Sequence, residues 1–600
     1  MTSPVSSPWR SLRGRFTSVR SASAKREEHG ERLSTDDRTI SKRELLLTTA
    51  AAGLLAAVMH WPLPLHLGRD IPRDTQAPLV QAWQVAWDGH ALAHQPLHFF
   101  QANIYWPLRN SLAFSDALIG YAPAGLIGAG PKAALVRYDL LFLFAYALAF
   151  LGPYLLAREL GSGRAGATVA GAAFAYAPWR LEQDGHLHVL SSGGIPLSLF
   201  LLLRGYRRSR PGLILGGWLV AAWQLLLGFT LGLQLAYLLA ALALVAGLVW
   251  IGRRRPPLGR PVIAATLAGV AVFGIATALL ARPYVQVARD HPEARRSEAL
   301  VASLSPPLSS YFAAPPGNLI WGRPTASVRR RLSFVPEQTL FPGILVLALA
   351  GWGVMARVYP RRLRVGLVVG GIACAILALG IDNEGVRLPL QPYRLLYHYA
   401  PGWDSVRTPS RINTLTSLAL ALLAGAGAHA ALGVVGGRAP RRTTVSRQLV
   451  GGLLVGVVLL EGAGFGIGGR GGLISGPPHP SVPLPPAGQR HAAAPQLHLP
   501  LLTTAVNQFV FWSTDRFPKI VNGRASFEPR ETVTVYRRTL GFPDRSSVRW
   551  LRATGVRTVI LHPSLAGGTP WQAAQNKSVQ GLPLRREVRG AVVVFDVGAH

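Results

Sequence analysis

Residues 212–251 contain no charged side chain over 40 consecutive positions. A helix needs about 20 mostly apolar residues to cross the hydrocarbon core of a bilayer. This run is therefore too long for one crossing. Gly228-Phe229-Thr230 interrupts it, so it reads as a helical hairpin of 212–228 and 230–251. The same criterion selects 44–62, 135–157, 165–181, 188–204, 261–281, 341–357, 365–381, 412–436 and 449–468, giving a polytopic α-helical membrane protein with about 11 spanning helices. Composition agrees. Apolar residues make up 49% of the 600-residue chain and charged residues 15%, where a soluble chain carries roughly 25% charge. The single cysteine, Cys374, excludes a disulfide framework and a cysteine-based zinc site.

The net charge of +34 does not imply nucleic acid, because the basic residues fall in short clusters between apolar runs. Arg158/Arg164, Arg204/Arg207/Arg208/Arg210, Arg253/Arg254/Arg255/Arg260, Arg357/Arg361/Arg362/Arg364 and Arg438/Arg441/Arg442/Arg447 all fall on one side, together with the ten Lys or Arg of residues 1–43. By the positive-inside rule that side is the cytoplasm. Residues 1–43 read as a disordered basic cytoplasmic tail leading into an uncleaved signal anchor. Residues 44–470 read as the transmembrane domain. The apolar stretch 116–130 is expected to be interfacial or re-entrant, since counting it as a span would invert every later loop. From about 471 a Gly-, Pro- and His-rich linker leads to strand-like runs at 497–502, 532–537, 557–562 and 591–597, with a helical pattern at 546–554. Residues 471–600 thus form an expected extracytoplasmic α/β domain.

Three groups of residues could carry chemistry. Asp70 and Asp74 leave the first span together, with Asp88 following. Carboxylates at a membrane surface can serve as general bases or hold a divalent cation, or they are solvated charges paired with Arg69 and Arg73. Glu182, Asp184, His186 and His188 lie within seven residues, as a metal or phosphate-linked cation would require, or as the polar cap of a helix hairpin. Arg282, Arg289, Arg295, Arg296, Arg323, Arg394, Arg407 and Arg411 form an excess of outer arginines that the positive-inside rule does not predict. They suit a lipid phosphate or pyrophosphate, or attraction to anionic lipid. His90, His94 and His98 share a helical face, as in a metal face or an interfacial helix. Trp83, Trp87, Trp106 and Trp179 read as interfacial anchors. No HExxH or P-loop pattern occurs.

The order of motifs resembles large bacterial membrane proteins of the GT-C glycosyltransferase class, the YfhO-like group. The matching pieces are Asp70…Asp74 with Ala86-Trp87-Asp88, Asn103-Ile104-Tyr105-Trp106-Pro107, Leu112-Ala113-Phe114-Ser115-Asp116, Ala173-Phe174-Ala175-Tyr176-Ala177-Pro178 with Gly185-His186, Pro315-Pro316-Gly317-Asn318, Leu340-Phe341-Pro342-Gly343, Pro401-Gly402-Trp403-Asp404 with Arg407-Thr408-Pro409-Ser410-Arg411, and Val521-Asn522-Gly523 with Ser526-Phe527-Glu528-Pro529.

The resemblance implies a multi-pass protein of the bacterial cytoplasmic membrane that moves a sugar from a polyprenyl-phosphate donor to an envelope glycan, lipid or protein acceptor on the outer face. It places the catalytic carboxylate at Asp70 or Asp74. Substrate contacts are expected at Asp88, His186, Arg323, Arg394, Arg407 and Arg411, and a divalent cation, Mg or Mn, at Glu182 and Asp184. The competing readings are a transporter or flippase for lipid-linked material and a non-catalytic assembly factor. Acids buried mid-span would favour transport; the spans are nearly free of them, with Glu461 the clearest exception, which favours the enzyme.

Overall fold

The computed structural model describes residues 39–253, 258–381, 391–436, 443–464 and 479–598. Most of the basic tail, Arg254, Arg255, Arg438, Arg441, Arg442 and much of the linker lie outside the described residues.

Each of the eleven apolar runs contains a helix among its described residues: α1 (Lys42–Met59), α3 (Gly130–Leu160), α4 (Arg164–Ala175), α5 (Gly194–Arg207), α6 (Pro211–Leu227), α7 (Phe229–Gly252), α8 (Arg260–Asp290), α9 (Ile344–Met355), α10 (Arg361–Ala378), α11 (Asn413–Gly436) and α12 (Thr443–Gly462), with α2 (Ala77–His94) between the first two. The hairpin break falls at Gly228, the one residue between α6 and α7. Among the described residues, five stretches are both long and apolar enough to cross a membrane: Gly130–Leu160, Leu187–Arg207, Phe229–Gly252, Arg260–Asp290 and Pro409–Val434. Three shorter apolar helices accompany them. With 12 residues, α4 is only about 18 Å long. The stretch 116–130 contains short turns at Ile119–Tyr121 and Ala122–Gly125 rather than a spanning helix.

Close backbone approach and buried ion pairs hold the bundle together. A Cβ on Gly427 would lie 1.9 Å from the Leu349 carbonyl oxygen, and one on Gly353 would lie 2.0 Å from that of Leu423. Glycine at both places lets α9 and α11 touch, the small-residue packing that replaces hydrophobic drive in lipid. At one end of the bundle, buried Glu44 accepts from Arg158 Nε (2.7 Å) and Arg164 Nε (3.0 Å), and Glu159 accepts from Arg204 Nη1 (2.9 Å). Two of the arginine clusters are therefore also structural. Glu461 is a cap. Its carboxylate accepts from the backbone N–H of Ile344 (2.9 Å) and Leu345 (3.0 Å) and from Trp321 Nε1 (3.1 Å), satisfying the free donors at the start of α9. That role accounts for the one clear exception to the scarcity of acids in the apolar runs.

Trp83 and Trp179 are core residues, not interfacial anchors. Each is almost fully buried, and their indole N–H groups donate to Asn103 Oδ1 (3.0 Å) and Ser417 Oγ (2.8 Å).

The C-terminal part carries a four-stranded sheet of order β1-β2-β4-β3: β1 (Gln496–Leu499), β2 (Thr558–Leu561), β3 (Arg585–Arg589) and β4 (Val592–Asp596). β1 and β2 are parallel and the other pairings antiparallel. Helices α13 (Thr503–Trp512), α14 (Arg530–Thr539) and α15 (Arg545–Ala553) complete it. Three of the four expected strands are present. The fourth, 532–537, lies in α14. Val533 and Val535 alternate like a strand, but Val535 and buried Thr539 form the inward face at helical spacing. β3 escaped notice because its Arg-Arg-Glu-Val-Arg sequence is an exposed charged edge. The first outer loop forms a seam with this part. Tyr105 N–H donates to Asn522 O (3.1 Å), Trp106 N–H to Ile520 O (3.0 Å) and Ile520 N–H to Asn103 O (2.8 Å).

Within the sheet region, buried His498 and His562 stand ring nitrogen to ring nitrogen at 3.0 Å, stacked on Phe509. Burial pushes His562 down to about 3. Its folded value lies below the ordinary 6.5, so its contribution to stability is complete above pH 6.5 and is lost as pH falls towards 3. Thermal unfolding of the full chain in detergent is expected to weaken between pH 7 and 4.5, and His562→Gln should flatten that decline. An unchanged pH slope in the variant would contradict this account.

Candidate active site

At the end of the bundle beneath the sheet region lies a cavity of about 590 Å³. It is bounded by the start of α2, residues 182–188, the first residues of α7, the last turns of α8, residues 334–336 and 405–411, and the loop 524–527. Arg73, Arg296, Arg407, Arg411 and Arg524 reach it, opposed by the carboxylates of Asp74, Asp116 and Glu182. Phe229, Tyr284 and Val287 give it an apolar wall.

Arg411 is fixed most firmly. Its Nη2 donates to Glu337 Oε1 at 2.8 Å, and its Nη1 lies 2.9 Å from His188 Nε2. Ser410 Oγ donates to the other Glu337 oxygen at 3.3 Å. Burial works against the ionised Glu337, but the charge and hydrogen bond of Arg411, with the electrostatic contributions of His186 and Arg407, together outweigh it and hold the carboxyl below its usual value.

Arg296 and Arg407 differ from it. Each donates from Nη1 to the same acceptor, the Ser526 carbonyl, at 3.3 Å, and Arg296 Nη2 also donates to Ser526 Oγ at 2.7 Å. Among the described residues neither forms an ion pair with a carboxylate. Desolvation, and then the charge of Arg407, bring Arg296 down to about 10. Desolvation and Arg411 lower Arg407 in the same direction. Ser526 is itself seated, its N–H donating to Ser115 Oγ (2.8 Å) and its hydroxyl to Phe114 O (2.6 Å).

The structure separates the expected loop-one acids. Asp74 lines the cavity with its side chain 40% exposed, accepting among the described residues only from Gln76 N–H at 2.9 Å and lying 4.0 Å from Arg73 Nε. Asp70 is buried outside it, accepting from Ser481 Oγ at 2.7 Å and lying 3.3 Å from His66 Nδ1. Asp88 is fully buried with neither oxygen hydrogen-bonded, and burial alone raises its carboxyl well above the usual range. It does not line the cavity. His186 faces the cavity, where burial and then Arg411 push it down to about 4, so it is neutral at physiological pH. Arg323 is exposed outside the cavity, and Arg394 is an exposed partner of Glu298. Neither lines the cavity. Glu182 lines the cavity but is held by Arg73, whereas Asp184 is buried against the Tyr146 hydroxyl. The two carboxylates of the expected metal pair are thus committed to different partners. A separate group able to hold a metal ion is formed by His291, Glu293 and Glu531.

Asp116 and Glu337 were not anticipated as site residues. Asp116 accepts from Phe229 N–H (3.1 Å) and Thr230 Oγ1 (3.4 Å), and burial, partly offset by Arg411, raises its carboxyl. Its place in the Phe114-Ser115-Asp116 motif was the available signal. Glu337 had none, being one acid in a long outer loop.

No family profile matches the chain, and no curated protein matches it. Its structure is similar to that of the arabinofuranosyltransferase AftD from Mycobacteria, with a TM-score of 0.58 at 16% identity, covering 94% of this chain and 40% of that one. A mutant form of AftD gives 0.52 at 16% identity over 94% and 42%. The apo oligosaccharyltransferase of Archaeoglobus fulgidus gives 0.46 at 13% identity over 87% and 70%. The chain shares the fold of AftD and spans about two fifths of its length.

Proposed function

We propose that the chain is an inverting membrane glycosyltransferase that moves a sugar from a polyprenyl-phosphate donor to an envelope acceptor. One observation carries this reading: Arg296 and Arg407, two guanidinium groups without acidic partners among the described residues, converge on the Ser526 carbonyl at the wall of the cavity. Like charges brought together out of water call for an anion between them, and guanidinium matches phosphate oxygens in geometry as well as charge.

Asp74 is the base. It removes the proton of the acceptor hydroxyl, whose oxygen attacks the anomeric carbon as the bond from that carbon to the phosphate oxygen breaks. The electron pair leaves with the lipid phosphate, and Arg296 and Arg407 stabilise the charge that develops there. The polyprenyl chain lies along the apolar wall of Phe229, Tyr284 and Val287.

The basic clusters support a cytoplasmic N-terminus and a cavity on the outer face. The motifs shared with YfhO-like proteins point the same way. The sheet region of 479–598, with Ser526 and Arg524 at the cavity, shapes the acceptor side.

Binding of a polyprenyl phosphate to the full chain, against the dephosphorylated polyprenol, tests the anion assignment. Each charge-assisted contact contributes about 1.5–3 kcal/mol, so Arg407→Ala and Arg296→Ala should each weaken phosphate binding roughly 10- to 100-fold and leave polyprenol binding unchanged. Equal weakening for both lipids would sink the reading.

A further inference from the structure

Just outside the cavity, the end of α8 meets the start of α14. His291 Nδ1 lies 3.7 Å from Glu293 Oε1, and an oxygen of Glu531 completes a set whose ligand atoms all lie within 4.8 Å of one another. We propose that His291, Glu293 and Glu531 bind a first-row divalent cation of the zinc or manganese type, clasping α14 to the end of α8.

Three features support the assignment. The His291 side chain is only 10% exposed, yet no hydrogen bond to either ring nitrogen is present among the described residues, and its Nδ1 faces the acidic pair. Glu293 Oε2 is shut off from solvent without a hydrogen bond. The spacing also suits coordination, because two ligands about 2.0–2.2 Å from a tetrahedral ion stand about 3.3–3.6 Å apart. The imidazole suits zinc and the two carboxylates suit manganese, whereas magnesium and calcium prefer all-oxygen sites.

Arg530 is the competing cation. Its N–H donates to Glu293 Oε1 at 3.0 Å, and its Nε lies 3.6 Å from Oε2. The backbone contact is compatible with metal binding, and the guanidinium, on a side chain 79% exposed, is free to turn into solvent.

Position gives the clasp a purpose. The His291 ring packs on Phe114 (5.0 Å between centroids) and Phe527 (6.1 Å), both of which line the cavity. A cation here would hold the loop carrying Ser526 and Phe527 against the bundle. The proposal does not depend on the glycosyltransferase reading, since none of the three ligands lines the cavity.

The test uses the full chain in detergent, free of a histidine tag and stripped with chelator. It is titrated with Zn²⁺ or Mn²⁺, with Mg²⁺ and Ca²⁺ as controls, and the retained metal is counted by mass spectrometry. One zinc or manganese per chain is expected. Glu531→Gln, at an exposed position that does not endanger folding, should weaken its Kd at least about tenfold, since even outer-shell partners of metal sites contribute that much. His291→Ala should abolish binding. Wild-type affinity in both variants, binding of the hard cations alone, or no stoichiometric binding to the unmodified chain would each overturn the proposal.

Discussion

Asp74→Asn is expected to lower sugar transfer by about 10²–10⁴-fold, the usual contribution of a positioned general base, while Asp70→Asn stays within a few fold of the unmodified chain. The two acids are four residues apart and look equivalent in sequence. In the structure Asp74 opens onto the cavity, whereas Asp70 is spent on Ser481 and His66. Asparagine keeps the shape of the carboxylate and its contact with Gln76 N–H but cannot take up a proton. The loss should therefore appear in kcat, with binding of the lipid phosphate preserved. A radiolabelled polyprenyl-phosphate sugar assay on the two variants decides the matter. Full turnover in Asp74→Asn would remove the mechanism. If Asp116→Asn alone abolished turnover, the base would be the second cavity carboxylate.

Glu337→Gln should be the most damaging change to the fold near the site. It leaves Arg411, whose side chain is only 8% exposed, as a buried charge without its acid. Breaking such a pair from one side costs about 3–5 kcal/mol. The expected result is a large fall in thermal stability. Removing both charges with Glu337→Gln and Arg411→Met should restore much of that stability, because the desolvation cost disappears along with the attraction. The double variant should still fail in transfer, since the guanidinium beside His188 is gone. If the single variant melts like the unmodified chain, Glu337 is not the anchor of Arg411.

Local patterns carried a good deal of this. Each apolar run found by length contains a helix, the hairpin break falls at Gly228, and three of four strands were legible. Arg407 and Arg411, chosen for lying in an outer loop where positive charge is unexplained, do reach the cavity. Where an element was misread, the reason is specific. The alternation of Val533 and Val535 matched a strand only because the two periodicities cannot be told apart over six residues. Short α4 met a hydropathy criterion that its folded length does not satisfy.

Sequence alone determined the membrane-helical character of the chain, the side on which positive charge accumulates and the segments that could hold chemistry, because hydrophobic runs and charge clusters are properties of neighbours along the chain. Tertiary structure alone decided which acid is free. Asp70 is tied to a residue 411 positions away, Glu182 is occupied by an arginine 109 positions before it, and Arg411 is anchored by an acid 74 positions upstream. Reactivity depends on what a side chain is not already bonded to, and partners that distant are brought together only by the packing of the whole bundle.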